Sequence, residues 1–117
     1  MRIKEIIKEE PFQLVNEGEN PEREISGCFC CDLLSMVIGR APKDSVWVTV
    51  IGNENTIAAA ILAEVSCVVL AEGTKLNESG RMRAKEYGVT ILESELPVFQ
   101  TTLLLHERLK NHKNSKF

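Results

Sequence analysis

Ser45–Gly73, SVWVTVIGNENTIAAAILAEVSCVVLAEG, decides the fold. Val46-Trp47-Val48-Thr49-Val50-Ile51 is β-branched or aromatic and uncharged, the composition of a strand covered on both faces. Gly52-Asn53 breaks it. Thr56 to Val65 is apolar apart from Glu64, and its three successive alanines favour helix and allow close backbone approach. A second uncharged run, Ser66 to Ala71, follows at once. Two buried strands joined by a short helix require a right-handed crossover. The expected fold is therefore α/β: a single domain with a mostly parallel β-sheet flanked by helices in βαβ units.

Outward from this unit, the chain supplies the remaining elements. Ile3, Ile6 and Ile7 recur at helical spacing among Lys and Glu, which predicts a short amphipathic helix over Arg2–Glu10, stopped by Pro11. Phe12-Gln13-Leu14-Val15 reads as a first strand, and the polar cluster from Asn16 to Pro21 as a loop. Glu24 to Cys31 can extend as a second strand. Asp32 then stands before Leu33 to Ile38 as an N-cap, with Gly39 as the helix stop and Pro42 beyond it. Asn77 caps a helix from Glu78 to Tyr87 that has Leu76, Gly80, Ala84 and Tyr87 on one face, and Gly88 closes it. Val89 to Leu92 is another strand. Ser94 and Pro97 open a last helix, Val98 to Lys110, whose Leu103-Leu104-Leu105 makes a stripe wide enough for the sheet and a second subunit. The domain thus covers residues 1–110, and 111–117 reads as a disordered polar, basic tail.

The 117 residues carry 14 basic and 17 acidic groups, a formal charge of −3. That excludes a non-specific nucleic-acid binder, which needs a basic surface. No apolar run reaches transmembrane length and no signal peptide is evident, so the expected setting is the cytoplasm, away from any membrane, with reduced thiols.

Candidate sites follow from the topology. Ligands of open parallel sheets sit beyond the carboxyl ends of the strands, near helix N-termini. Cys31-Asp32, Gly52-Asn53-Glu54-Asn55 and Glu72-Gly73 should meet there. Asp32, Gly52, Asn53, Asn55, Glu72 and Gly73 are the candidate ligand-binding residues. The Gly52-Asn53 turn either cradles a phosphate or carboxylate, or only caps the helix through Asn53 or Asn55. Glu72 and Asp32 either share a divalent metal or remain solvated loop carboxylates.

The cluster Cys28-x-Cys30-Cys31 leaves three readings: packing, a redox or regulatory thiol, and metal binding with Cys67 as a fourth thiolate. In an extended segment Cys28 and Cys30 share a face and Cys31 points away. Cys31, next to a helix start, is best placed for a reactive thiolate. His106 and His112 have no carboxylate partner suggested by spacing and read as surface residues. Trp47 reads as a core or subunit-interface anchor. No complete catalytic constellation and no GxxxxGK[ST] motif are present, so neither an enzyme nor a cofactor is implied.

Several segments together resemble the DRTGG domain family: Gly27-Cys28-Phe29-Cys30-Cys31-Asp32-Leu33-Leu34-Ser35, Val46-Trp47-Val48-Thr49-Val50, Asn55-Thr56-Ile57-Ala58-Ala59-Ala60, Val68-Val69-Leu70-Ala71-Glu72-Gly73, and Ala84 through Leu92. The resemblance extends from Ile3 to Leu109. It is similar to the module that occurs alone in anaerobic bacteria and in the N-terminal region of HPr kinase/phosphorylase. It implies a non-catalytic ligand-sensing or assembly module, commonly a homodimer, that binds a nucleotide, another small anion or a protein partner. The alternative is a thiol-based redox or metal-binding accessory protein that uses Cys28, Cys30 and Cys31.

Overall fold

A computed structural model describes residues 1–114. In chain order the elements are α1 (Ile3–Ile6), β1 (Gln13–Asn16), β2 (Cys28–Cys30), α2 (Leu34–Arg40), β3 (Val46–Thr49), α3 (Glu54–Ala63), β4 (Cys67–Leu70), α4 (Glu78–Tyr87), β5 (Ile91–Glu93) and α5 (Val98–Asn114). The strands form one sheet in the order β1-β5-β4-β3-β2. β2, β3, β4 and β5 run parallel, and β1 joins the β5 edge antiparallel. The α/β architecture expected from Ser45–Gly73 is therefore present.

Each parallel strand pairs with the next one in sequence, so the three right-handed crossovers place α2, α3 and α4 on the same face. Side chains alternate across the sheet accordingly. Trp47, Val68, Leu70 and Ile91 pack with Val37, Ile57, Ala60 and Ala84 beneath those helices. Val46, Val48, Cys67, Val69 and Leu92 pack on the other face with Ile3 and Ile6 of α1 and Leu105 and Leu109 of α5. Both faces are covered, which is why β3 and β4 are buried at every position. Trp47 is fully buried, and its indole N–H donates to the Cys31 carbonyl at 2.9 Å, so it is a core anchor that ties β3 to the end of β2.

Some boundaries differ from the sequence expectations, for local reasons. Asp32 does not cap α2. Leu33 is the N-cap, without a side-chain bond, because Asp32 Oδ1 instead takes two donors at the end of β3: Thr49 Oγ1 at 2.6 Å and the Val50 amide at 3.0 Å. Gly39 lies inside α2, which runs to Arg40. The stop comes from Ala41, extended at φ −63° and ψ 125° because the following Pro42 excludes the helical region. α1 is only Ile3–Ile6, since the amides of Lys8 and Glu9 bond three residues back and the chain turns there. Strand pairing in the second strand is confined to Cys28–Cys30, with Glu24 forming only an isolated bridge to Arg2.

Asn77 caps α4 as expected, accepting from the Gly80 amide at 2.8 Å, and Gly88 ends it at φ 66°. Leu76, Gly80 and Ala84 are buried, whereas Tyr87 is exposed at the rim of that face. α5 continues to Asn114, so 111–114, assigned from sequence to the disordered tail, are helical, and 115–117 lie outside the described residues.

Candidate functional site

β4 leads into α4 on one face, while its neighbour β5 leads into α5 on the other. Connections that diverge from adjacent strands open a crevice beyond the carboxyl ends. At these strand ends Gly52 approaches Lys75, Gly73 approaches Glu95, and Lys75 lies between Glu93 and Glu95, so the topology collects several of the residues singled out from sequence. Most of their polar groups are bonded within the chain itself.

Asn53 Oδ1 accepts from the Asn55 amide at 2.9 Å and is the N-cap of α3. The carbonyl of Gly52 accepts from the Asn77 amide at 2.9 Å, and a Cβ at Gly52 would lie 2.5 Å from the Lys75 carbonyl. This glycine permits the close approach of two loops. Glu72, at φ 61°, turns its carboxylate back onto the Val98 amide at 2.7 Å, where the positive end of α5 favours it. Gly73 has φ 71°, and a Cβ there would meet the Glu95 carboxylate at 2.8 Å. Asp32 Oδ1 is held by Thr49 and Val50, and Glu72 Oε2 by the Val98 amide. Among the described residues, no group of three or more His, Cys, Asp or Glu is placed to hold a metal ion.

The sequence reading missed Glu93 and Lys75. Glu93 ends β5 and is buried. Its Oε2 accepts from the Leu76 amide at 3.1 Å and its Oε1 from Lys75 Nζ at 3.3 Å. Glu95 takes the same ammonium at 3.3 Å, and these two carboxylates raise the Lys75 pKa, Glu93 first. A charged residue closing an apolar strand, Ile91-Leu92-Glu93, was the signal available in the sequence. One ammonium among Glu72, Glu93 and Glu95 leaves the crevice net negative, a poor seat for a phosphate or another anion.

A cavity lies elsewhere. It has a volume of 750 Å³ and sits at the amino ends of the parallel strands, between the C-terminal ends of α3 and α4 and the loop of Asn20 to Arg23. Among its charged groups, Glu22, Arg23 and Asp44 are paired. Arg23 Nε binds Asp44 Oδ1 at 2.6 Å and its Nη2 donates to the Glu64 carbonyl, while Glu22 holds Arg2 and Lys4 at 2.7 and 2.8 Å. Lys4, and then Arg2, keep the Glu22 carboxyl below its ordinary range.

The cysteines divide by burial. Cys28 and Cys67 flank Val46 in one row of the sheet, and burial pushes their thiols up to about 11 and about 12. Two strand spacings, roughly 10 Å, separate them, too far for a disulfide. Cys30 shares the side of Cys28 and is exposed, while Phe29 and Cys31 turn to the opposite face. Cys31 Sγ accepts from the Leu33 amide at 3.5 Å. The cluster therefore does not converge on one point. His106 is exposed, but His112, expected to lack a carboxylate, has Nδ1 3.8 Å from Glu5 Oε2.

No protein-family model matches this chain, and no match is found among curated proteins.

Proposed function

We propose that the chain is a non-catalytic regulatory or assembly module of the DRTGG kind that works by associating with protein, first of all as a homodimer. The observation that carries this reading is the contrast between the two surfaces that a ligand or a partner would use. At the strand ends, Asp32, Asn53, Glu72 and Glu93 each commit one side-chain oxygen to a backbone amide of the chain itself. On the outer side of the helical layer, Ile61, Leu62, Met82 and Tyr87 stand exposed to water. Exposed apolar side chains in such number mark an interaction surface. α5, from which a subunit contact was expected, directs Leu105 and Leu109 into the core and keeps Leu104 half-buried, which leaves Leu103 of its stripe exposed.

The test is the mass of the full chain in solution across a dilution series, beside thermal melting with nucleotides and divalent cations. Association predicts a mass that rises with concentration and a midpoint indifferent to those small molecules. A ligand at 100 times its dissociation constant adds about 2.7 kcal/mol, about 10 °C for a chain of this length. A monomer at every concentration whose midpoint shifts that far would replace association by small-ligand sensing.

A further inference from the structure

α3 turns Thr56, Ile57, Ala59, Ala60 and Ala63 inward, which leaves Ala58, Ile61 and Leu62 together on its outer side. Across from them, α4 presents Arg83 and Tyr87 one turn apart. Side chains of both helices line one groove of 220 Å³: Ile57, Ala58, Ile61, Leu62, Arg83 and Tyr87. Met82, one residue before the groove-lining Arg83, is exposed on α4. The strip is thus continuous across two helices.

Its size fits an interface. Ile61, Leu62, Met82 and Tyr87 are 44%, 66%, 67% and 54% exposed. At roughly 200 Å² for a whole large side chain, these fractions amount to about 450 Å². A standard interface takes about 800 Å² from each partner and is a little over half apolar, which is about the same apolar area. On the opposite layer, Phe99 and Leu103 of α5, 72% and 41% exposed, offer about half as much.

The charges choose the occupant. From Glu54 to its cap Glu64, α3 carries two glutamates and neither Lys nor Arg. α4 carries Arg81, Arg83 and Lys85 against Glu78 and Glu86. A surface that fits this strip must be apolar at its centre, acidic where it meets α4 and basic where it meets α3. A second copy of the same chain, turned about a two-fold axis, meets that pattern twice, with α3 of each copy on α4 of the other. We infer that the α3–α4 strip is the seat of a second copy of this chain in an isologous dimer. This rests on the association reading above and adds the face and the pairing of its elements.

The experiment is sedimentation equilibrium of the full chain and of Leu62→Glu, Met82→Glu, Arg83→Glu and Leu103→Glu, each checked for an unchanged far-UV spectrum. All four substituted positions are exposed, so the fold should survive. The expected result is a dimeric parent, at least a hundredfold weaker association for Leu62→Glu and Met82→Glu, about tenfold weaker for Arg83→Glu, and no change for Leu103→Glu. If the parent is dimeric and both Leu62→Glu and Met82→Glu remain so, the face is wrong while association stands. A parent that stays monomeric to millimolar concentration overturns this inference and the homodimer of the proposed function together.

Discussion

Glu93→Ala should be among the most damaging single changes at the carboxyl end of the sheet. Glu93 Oε2 accepts from the Leu76 amide at 3.1 Å, and both residues are buried. Alanine would strand that amide away from water. A hydrogen bond to a charged group contributes about 1.5–3 kcal/mol, and an orphaned buried donor costs a similar amount. The loss should therefore be about 3 kcal/mol. With an unfolding entropy of about 2.1 cal/mol/K per residue, a chain of this length moves about 4 °C per kcal/mol, so the midpoint should fall by about 12 °C. Glu93→Gln keeps an amide oxygen in reach of Leu76 and should cost only about 1 kcal/mol. Urea unfolding followed by the single, fully buried Trp47 reads both variants. A Glu93→Ala change below about 1 kcal/mol would refute the reasoning. A Glu93→Gln loss equal to that of alanine would show that the pairing with Lys75, and not the Leu76 amide, is what the carboxylate supports.

Two glycines should respond in opposite directions. Gly39→Ala, inside α2 with no atom within 4 Å of the added Cβ, should raise stability by about 0.5–1 kcal/mol, whereas Gly52→Ala, whose Cβ would press on the Lys75 carbonyl, should lower it by about 2 kcal/mol, both read by urea unfolding. The Glu5 carboxyl is held below its ordinary value of 4.5, first by the Arg2 amide, so the folded state binds fewer protons than the unfolded one in that range. Stability should be full above pH 4.5 and decline as pH falls through the lower folded value, and Glu5→Gln should flatten this part of the profile. In alkylation at neutral pH, exposed Cys30 should label in the native protein, while Cys28 and Cys67, pushed up to about 11 and about 12 by burial, should label only on unfolding. Rapid native labelling of Cys67 would contradict the packing described for it.

The fold was legible where local and global requirements coincide. Val46–Thr49 and Cys67–Leu70 had the composition of strands covered on both faces, and they are buried at every position, with Glu54–Ala63 as the helix that joins them. Asn77 and Gly88 marked the ends of α4 because cap geometry is a property of a few adjacent residues. Asp32 was misread as a cap for the opposite reason. Its donors, Thr49 and Val50, are close only after the sheet has formed. Likewise, the crevice between β4 and β5 depends on α5 leaving to the face opposite α4, and Glu93 acquires its role only when the Leu76 amide arrives from another loop. The leucine stripe of α5 was read as serving the sheet and a second subunit; Leu105 and Leu109 do pack on the sheet, whereas the exposure of Leu62 and Met82 depends on how α3 and α4 lie on the other face.

The central claim is that this module associates through the outer surface of α3 and α4. Its most direct test is a dilution series of the unmodified chain followed by methyl NMR. The account predicts that the methyl resonances of Ile61, Leu62 and Met82 shift with concentration along a single binding curve while that of Leu103 stays fixed. Invariant spectra, or shifts centred on Leu103, would contradict it.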